Sequence, residues 1–350
     1  MNKLPLVVIS SDWHIKPDNT EQIIYLINQK IELAKSLELD YLICLGDVFQ
    51  SRQAQPLIVF KCFEKILDLI GGSDMTLYCI SGNHEKTNYL SSHSFLDQFI
   101  WHPTLKLIKT YEDIDLFEGI RFHFISFFKE ELWIEKFKEV SILKNGKNIL
   151  FSHQALSGSV NNDGSKQENS IKVSDFEIFD KVFLGHFHNT QQISENIFHL
   201  PSIQANNYGE DNNKGFTVLY DDLSHEIINS KFPEYHTINI NLDKLSKQEL
   251  NDLKKEGSEL IKTSGANIRF KVSGSEDKVQ ALKKEDFESV GIDIQKEHKS
   301  ITKSIKIAEK GEIMVYTDEI IKNKFNDFCK EENYEDVEYG MECLITKLKS

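Results

Sequence analysis

Over residues 5–90, short uninterrupted apolar runs alternate with longer segments whose apolar residues recur every three or four positions. The runs are LVVISS, YLICLGD and TLYCISGNHE, each the length of a strand buried on both faces. Between the first two, Asn19 or Thr20 caps a helix to about Ser36 that turns Ile23, Ile24, Leu26, Ile27 and Ile31 inward. Between the second and third, Pro56 opens a helix carrying Leu57, Phe60, Phe63, Ile66, Leu67 and Ile70, which Gly71 and Gly72 stop. Strand-helix-strand-helix-strand implies right-handed crossovers and a largely parallel sheet. Later strands read as LKLIKTY, IDLFEG, IRFHFISFF, KNILFSH, KVFLGH and FTVLYD, with few helices among the first three. The economical arrangement is a second, more antiparallel sheet packed on the first, a two-sheet α/β sandwich. Residues 157–170, rich in Gly, Ser, Asn and Asp, read as an exposed, mobile loop.

After about Pro233 the pattern changes to TINI, a helix in LSKQELNDLKKEGSELIKTS, NIRFKVSG, a helix in SEDKVQALKKEDFESV, and IDIQKEH. That is a small α+β unit, so the expected domains are 1–233, 234–305 and a helical tail at 306–350. In the tail, Ile320, Ile321, Phe325, Phe328 and Cys329 fall on one helical stripe. Such a stripe packs on its own domain or docks to another protein, and the pattern does not choose between them.

Composition narrows the class. A chain of 350 residues with 40% hydrophobic and 27% charged residues has ample core and no apolar run near the ~20 residues of a membrane helix. MNKLPLVVISSDWH lacks a signal peptide's long apolar region and reads as a first core strand. The five cysteines, Cys44, Cys62, Cys79, Cys329 and Cys343, form no CxxC pair, which indicates free thiols in a reducing cytoplasm. A formal charge of −14 argues against coating nucleic acid through bulk electrostatics, but leaves room for a local lysine track or a basic partner. With Arg52, Arg121 and Arg269 the only arginines, phosphate contacts outside a metal site fall mostly to lysines. Lys254, Lys255, Lys283 and Lys284 are candidates, against a plain solvated helix face.

The chemistry-bearing residues gather where apolar runs stop. Asp12 and His14 follow the first, Asp47 the second, Asn83 and His84 the third, His153 follows ILFS, and His186 and His188 follow VFLG. Ligand sites of open α/β sheets lie beyond strand carboxyl ends, so eight polar side chains from five segments converge on one rim. His186 and His188, two apart, are expected to share one strand face. Each residue alone has an ordinary reading: Asp12 in a turn, Asn83 in a Gly-Asn turn, His153 as a satisfied core histidine. Five recurrences at strand ends make those readings jointly poor. Carboxylates, an amide oxygen and imidazoles without thiolates suit two borderline divalent ions such as Mn, Fe or Zn. A two-metal centre needs a bridging carboxylate, and Asp47 is the lone one on its segment. Gly46, Gly82 and Gly185 precede ligand positions, where tight turns exclude side chains.

The ordered set D-x-H, G-D, G-N-H, H, G-H-x-H resembles the calcineurin-like metallophosphoesterase superfamily over roughly residues 5–220. The resemblance implies one metal on Asp12, His14, Asp47 and His188 and a second on Asp47, Asn83, His153 and His186. His84 is then the non-ligand histidine that stabilises the transition state or protonates the leaving oxygen. The SDWH opening, the GDVF motif, LPS followed by NNKGF, and the C-terminal layout are similar to SbcD-type DNA repair nucleases and the recombination nuclease subunit of large phages. That likeness implies a cap over DNA formed by the second domain, tail helices docked on an SbcC-type SMC-like ATPase, and a homodimer within a heterotetramer. It also implies two divalent ions, Mn²⁺ first and Mg²⁺ second, and a bacterial cytoplasm, the gene being cellular or phage-borne. Gln50 stands where the family usually has His or Asp; an amide hydrogen-bonds to phosphate but exchanges no proton, which bears on exonuclease activity. Arg52 is a further candidate beside the site, and Glu85 replaces the usual Asp.

The expected activity is thus metal-dependent DNA phosphodiester hydrolysis, exonucleolytic on duplex ends, endonucleolytic on single strands, or both. GNHE also occurs in Ser/Thr protein phosphatases, whose second motif resembles G-D-x-x-D-R, but G-D-V-F-Q-S-R has neither Asp nor Arg at the expected places. A phosphodiesterase for small or cyclic nucleotides needs neither the extra domain nor the tail. A non-catalytic scaffold would not retain every expected ligand. His93, His102, His123, His199, His225, His236 and His298 lie outside the motifs and take ordinary roles.

Overall fold

The computed structural model describes residues 3–161 and 164–296. The expected tail at 306–350, His298, Cys329 and Cys343 lie outside the described residues. The first part of the chain runs β1 (Pro5–Ser10), α1 (Thr20–Ser36), β2 (Tyr41–Cys44), α2 (Leu57–Gly71), β3 (Thr76–Ile80) and β4 (Leu105–Ile108). Next come β5 (Tyr111–Phe117), β6 (Ile120–Ile125), α3 (Glu130–Phe137), β7 (Lys147–Ser152), β8 (Lys181–Leu184), β9 (Gln191–Gln192) and β10 (Ile197–His199). A hairpin, β11 (Gly215–Tyr220) and β12 (His225–Asn229), precedes the C-terminal unit.

Two six-stranded sheets, ordered β12-β11-β1-β2-β3-β4 and β5-β6-β7-β8-β10-β9, stack face to face. In β1, Val8 joins the core under α1 and α2, while Val7 and Ile9 join the core between the sheets. Both faces are buried, which is why the run is continuously apolar rather than alternating. An aromatic ladder on β6, β7 and β8 (Phe124–Phe151 5.1 Å, Phe151–Phe183 5.9 Å between ring centroids) stiffens the second sheet. Tyr78 on β3 stacks on Phe124 across the gap at 6.0 Å and ties the layers together. The second sheet's outer face is covered by Trp133 of α3 with Phe176 and Phe179. The result is the two-sheet α/β sandwich.

The sheets differ from expectation in three ways. The second is not mainly antiparallel: β6, β7, β8 and β10 run parallel, and antiparallel pairing is confined to the outer strands β5 and β9. Between β6 and β7 the crossover is α3, whose eight residues carry too short a periodicity to stand out, and β7 and β8 are joined by a separate long connection over 153–180. LKLIKTY divides into β4, in the first sheet, and the start of β5, in the second. FTVLYD is β11, which pairs antiparallel with β1 in the first sheet. The loop expected at 157–170 has its own order, with Ser157 N donating to Ile171 O, Gly158 N to Gln167 O and Gln167 N to Ser159 O.

Past Pro233, β13 (Tyr235–Asn241), α4 (Lys247–Ser264), β14 (Asn267–Ser273), α5 (Glu276–Ala281), α6 (Glu285–Glu288) and β15 (Asp293–Lys296) build a parallel three-stranded sheet with its own apolar core. The second expected helix is broken into α5 and α6. Ser246 and Glu249 form a reciprocal capping box on α4, and Gly265 ends it at φ 72°. The unit meets the loop after β10: Asn212 Nδ2 donates to Tyr235 O and Tyr235 N donates back to Asn212 Oδ1, both at 3.0 Å. Tyr208 packs between the Tyr235 ring (5.0 Å) and the Arg269 guanidinium (4.4 Å). Among the described residues, no helix is long and apolar enough to cross a membrane.

Candidate metal centre

The segments leaving β1, β2, β3, β7 and β8 meet beyond the strand carboxyl ends. The turns after β1 and β2 stay zipped past the strands, with Asp12 N donating to Gly46 O and His14 N to Asp47 O, both at 3.0 Å. Asp12, His14, Asp47 and His186 hold φ of 54°, 49°, 51° and 85°. That left-handed region costs an L residue about 1–3 kcal/mol, so the surrounding structure sustains strain where the chemistry-bearing side chains sit. Space is equally tight: a Cβ on Gly82 would lie 2.2 Å from Asp47 Oδ1, and one on Gly185 2.3 Å from Ser11 Oγ.

These turns bring all eight strand-end side chains together. Nε2 of His14 and Nε2 of His188 are 2.9 Å apart, each 3.8 Å from Asp12 Oδ1. Asp47 Oδ2 lies 3.3 Å from His153 Nε2 and 3.9 Å from both His14 Nε2 and His84 Nε2. Asn83 Oδ1 faces His153 Nε2 at 3.1 Å and His186 Nδ1 at 3.0 Å. His186 and His188 do not share a strand face, since β8 ends at Leu184 and the positive φ of His186 turns the chain. They instead aim at different neighbours, one toward Asn83 and the other toward His14.

Burial and charge divide the imidazoles. Burial keeps His14 well below its ordinary value and brings His186 down to about 3. For His153 burial acts the same way, but the Asp47 charge and its hydrogen bond overcome it and raise the group to about 9. His188 is raised against burial by its hydrogen bond to Glu210 and the charge of Asp12. Burial lifts Asp12, whereas His153 and His14 hold Asp47 well below the carboxylate range in spite of burial.

His84 stands at the mouth. Its Nδ1 donates to the Gln50 main-chain carbonyl at 2.6 Å, so Nε2 is the acceptor facing Arg52 Nη2 at 3.0 Å. Its own N–H donates to Asp47 Oδ1 at 2.9 Å. Gln50 and Arg52 are both exposed and border the site from the turn after β2.

Several partners carry no mark in the sequence. Glu85, distinguished there only as a variant of its motif, is fully buried and accepts from Asp47 N (2.9 Å), Gly82 N (2.7 Å) and Phe49 N (2.9 Å). Burial and the Asp47 charge push its carboxyl up to about 8, with the Phe49 and Gly82 N–H groups acting in the opposite direction. Glu210 and Lys214 lie buried behind His188, and the Ser11 hydroxyl donates to Asp12 Oδ2. In the sequence, Ser11 stands out only by its strand-end position and Lys214 only as part of NNKGF, and neither Glu210 nor the role of Lys214 is marked.

The remaining described histidines have other partners. His199 bonds Ser159 Oγ and the Gly185 carbonyl, His123 bonds Tyr111 and Asn148, and His93 pairs with Asp97. Of the candidate lysines, Lys254 lies over the Phe287 ring and Lys284 pairs with Glu288.

The donor set fits a pair of divalent ions. Asp12 Oδ1, which faces the Nε2 atoms of His14 and His188, is buried without a hydrogen-bond partner among the described residues, and unpaired buried polar atoms are costly unless something else satisfies them. Bond lengths of about 2.0–2.2 Å place neighbouring ligand atoms roughly 3 Å apart, as the closest donor atoms are here. Three overlapping clusters, Asp12-His14-His188, His14-Asp47-His84 and Asp47-His153-His186, share Asp47 or His14. Asp47 thus lies between two groups of donors, and thiolates are absent from both.

Several known proteins are similar to this chain. A curated relative, the SbcD component of the SbcCD nuclease of Staphylococcus epidermidis, is 26% identical over 260 residues, covering 65% of this chain and 68% of its own. Among solved structures, a dimetal phosphatase from Danio rerio is 9% identical, covers 63% of this chain and 93% of its own, and has a TM-score of 0.42. A calcineurin-like phosphoesterase from Bacillus subtilis is 13% identical, covers 65% of this chain and 90% of its own, and has a TM-score of 0.37. Residues 5–190 match the calcineurin-like phosphoesterase family, and the chain belongs to that family.

Proposed function

We propose that this phosphoesterase is a two-metal DNA nuclease, the catalytic subunit of a complex with an SbcC-type ATPase. The observation that carries the reading is the relation to the SbcD component of the SbcCD nuclease, which extends over 65% of this chain, a longer stretch than the family segment 5–190. The relative therefore shares sequence outside the phosphoesterase motifs. The proposed domains are the nuclease at 1–233, a DNA-capping unit at 234–305 and a partner-binding tail at 306–350.

In this reading Asp12, His14, Asp47 and His188 hold one ion and Asp47, Asn83, His153 and His186 the other. Two bound cations, Mn²⁺ for preference, supply the Lewis acidity and water acidification that phosphodiester hydrolysis requires at neutral pH. The chain's own residues do the rest. The Asp47 carboxylate joins the two donor groups. His84 sits outside both ligand sets, close enough to the shared carboxylate to reach a phosphate held there (Nε2 to Asp47 Oδ2, 3.9 Å). Its Nδ1–H is committed to Gln50 O, so Nε2 is the atom that meets the scissile group, stabilising charge or returning a proton to the departing oxygen. Arg52, already within 3.0 Å of that nitrogen, is placed to share the phosphate. The Gln50 amide offers a hydrogen bond without proton exchange. The complex is proposed as a homodimer of this chain with two ATPase subunits, in a bacterial or phage-infected cytoplasm.

A substrate panel tests this. End-labelled duplex DNA, single-stranded DNA, a generic aryl phosphodiester and a phosphopeptide are incubated with Mn²⁺, Mg²⁺ or chelator. Mn²⁺-dependent DNA cleavage is expected. Phosphopeptide hydrolysis without DNA cleavage would replace the nuclease with a protein phosphatase. Hydrolysis of the aryl diester alone, even with an ATPase subunit present, would redirect the substrate to small phosphodiesters.

A further inference from the structure

We propose that Glu210 is a positioning residue for His188, fixing which ring nitrogen faces the metal pocket, and that Lys214 holds the same residue by its main chain. The inference rests on the two-metal reading above. Glu210 lies 22 residues past His188, and its side chain is 0% exposed. Its Oε1 is 2.8 Å from His188 Nδ1. A carboxylate only accepts, so Nδ1 carries the proton and the Nε2 lone pair is left facing His14 Nε2 and Asp12 Oδ1.

The carboxylate is itself held. Asn207 Nδ2 donates to Oε1 at 2.8 Å, the Asn206 N–H to Oε2 at 3.3 Å, and Lys214 Nζ lies 3.4 Å from Oε2. Lys214, its side chain also 0% exposed, donates to the His188 carbonyl (2.6 Å) and to Asn189 Oδ1 (2.7 Å). The Ser202 N–H donates to that carbonyl too, at 3.1 Å. One ion pair thus grips His188 at both its ring and its main chain. His153 differs, since its Nδ1 faces the Leu45 main-chain carbonyl at 2.6 Å. Glu210 should therefore act on one donor group and not on the other. Outer partners of metal-binding histidines typically change affinity by roughly 10–100-fold when removed.

The test is Mn²⁺ titration of the full chain, followed by the loss of the free-ion paramagnetic resonance signal, in wild type, Glu210→Gln and Glu210→Asp. Glu210→Gln is expected to weaken one of two Mn²⁺ equivalents by roughly 10–100-fold and leave the other unchanged. The thermal midpoint of the chelated Glu210→Gln variant should fall, because Lys214 loses a buried partner, so the selectivity between the two equivalents and not the midpoint is the readout. Glu210→Asp keeps the charge beside Lys214 but withdraws the oxygen from His188, so it should show the same selective loss. The Nδ1–H proton of His188, visible downfield in a wild-type spectrum, should shift in both variants. Parallel weakening of both equivalents, or full rescue by Glu210→Asp, would make the pair a loop staple and overturn the proposal. Two unchanged equivalents in Glu210→Gln would overturn it as well. Wild-type protein binding fewer than two Mn²⁺ would instead remove the reading of the centre on which it stands.

Discussion

Replacing Glu85 by glutamine should damage both the apo fold and the metal centre. Its two oxygens serve three main-chain donors, two of them, Asp47 N and Gly82 N, on Oε2 and the third, Phe49 N, on Oε1. Glutamine offers one oxygen. If that oxygen takes the paired donors, its NH₂ abuts the Phe49 N–H, leaving a buried donor unsatisfied at a cost of about 1–3 kcal/mol. Above about pH 8, where Glu85 is a carboxylate, the two remaining bonds also lose their ionic character, which roughly halves their strength and removes about 1–2 kcal/mol more. Release of a buried charge beside Asp47 offsets part of this. A net loss of about 2–4 kcal/mol follows, roughly 4–15 °C in a domain of this size. Urea and thermal unfolding in chelator, buffered above about pH 8, would measure it. Because two of the three donors flank Asp47 in space, Mn²⁺ affinity should fall in the same variant. A Glu85→Gln protein within about 1 kcal/mol of wild type that bound Mn²⁺ equally well would refute the assignment of Glu85 as the clamp between the second and third turns.

Gly82→Ala should abolish high-affinity Mn²⁺ binding, since its Cβ would sit 2.2 Å from Asp47 Oδ1 and 2.4 Å from Asp47 N; retained affinity in a metal titration would contradict the packing argument. His84→Ala should leave two Mn²⁺ bound while slowing hydrolysis by about 10²–10⁴-fold; loss of one ion would make His84 a ligand. Lys30, fully buried and donating to Ser10 Oγ and the Ile43 carbonyl, is lowered by burial from 10.5 to about 7. The unfolded chain then binds the extra proton across that window, so the lysine's unfavourable contribution is full below about pH 7 and fades as pH rises toward 10. Urea unfolding should show wild type gaining on Lys30→Met by up to about 1.4 kcal/mol per pH unit over that interval. A difference independent of pH would contradict it.

Most of the site was legible because its side chains sit where apolar runs end, and strand ends are a place sequence can mark. Asp12, Asp47, Asn83, His153 and the GHFH pair stand out this way, although the strand geometry expected of His186 and His188 is one the turn does not have. Glu210 was invisible, and Lys214 lay inside the NNKGF motif without a role, because both belong to an irregular loop and reach His188 only through the tertiary fold. The three bonds of Glu85 likewise depend on two other turns meeting it. In the fold, β1 to β3 followed from local periodicity. The pairing of β11 with β1 joins segments far apart in sequence, and no local pattern records such a partner. The parallel pairing of β6 with β7 runs through α3, one short amphipathic helix amid strand-like sequence.

The most direct measurement is release of nucleotides from end-labelled duplex DNA by wild type and Asp47→Asn at matched Mn²⁺ occupancy steps, with bound metal counted in parallel. The account requires hydrolysis that rises as the second ion binds, stops on chelation, and is lost in Asp47→Asn together with at least one ion. Full DNA cleavage by Asp47→Asn, or cleavage by chelated wild type, would contradict a centre built around that shared carboxylate.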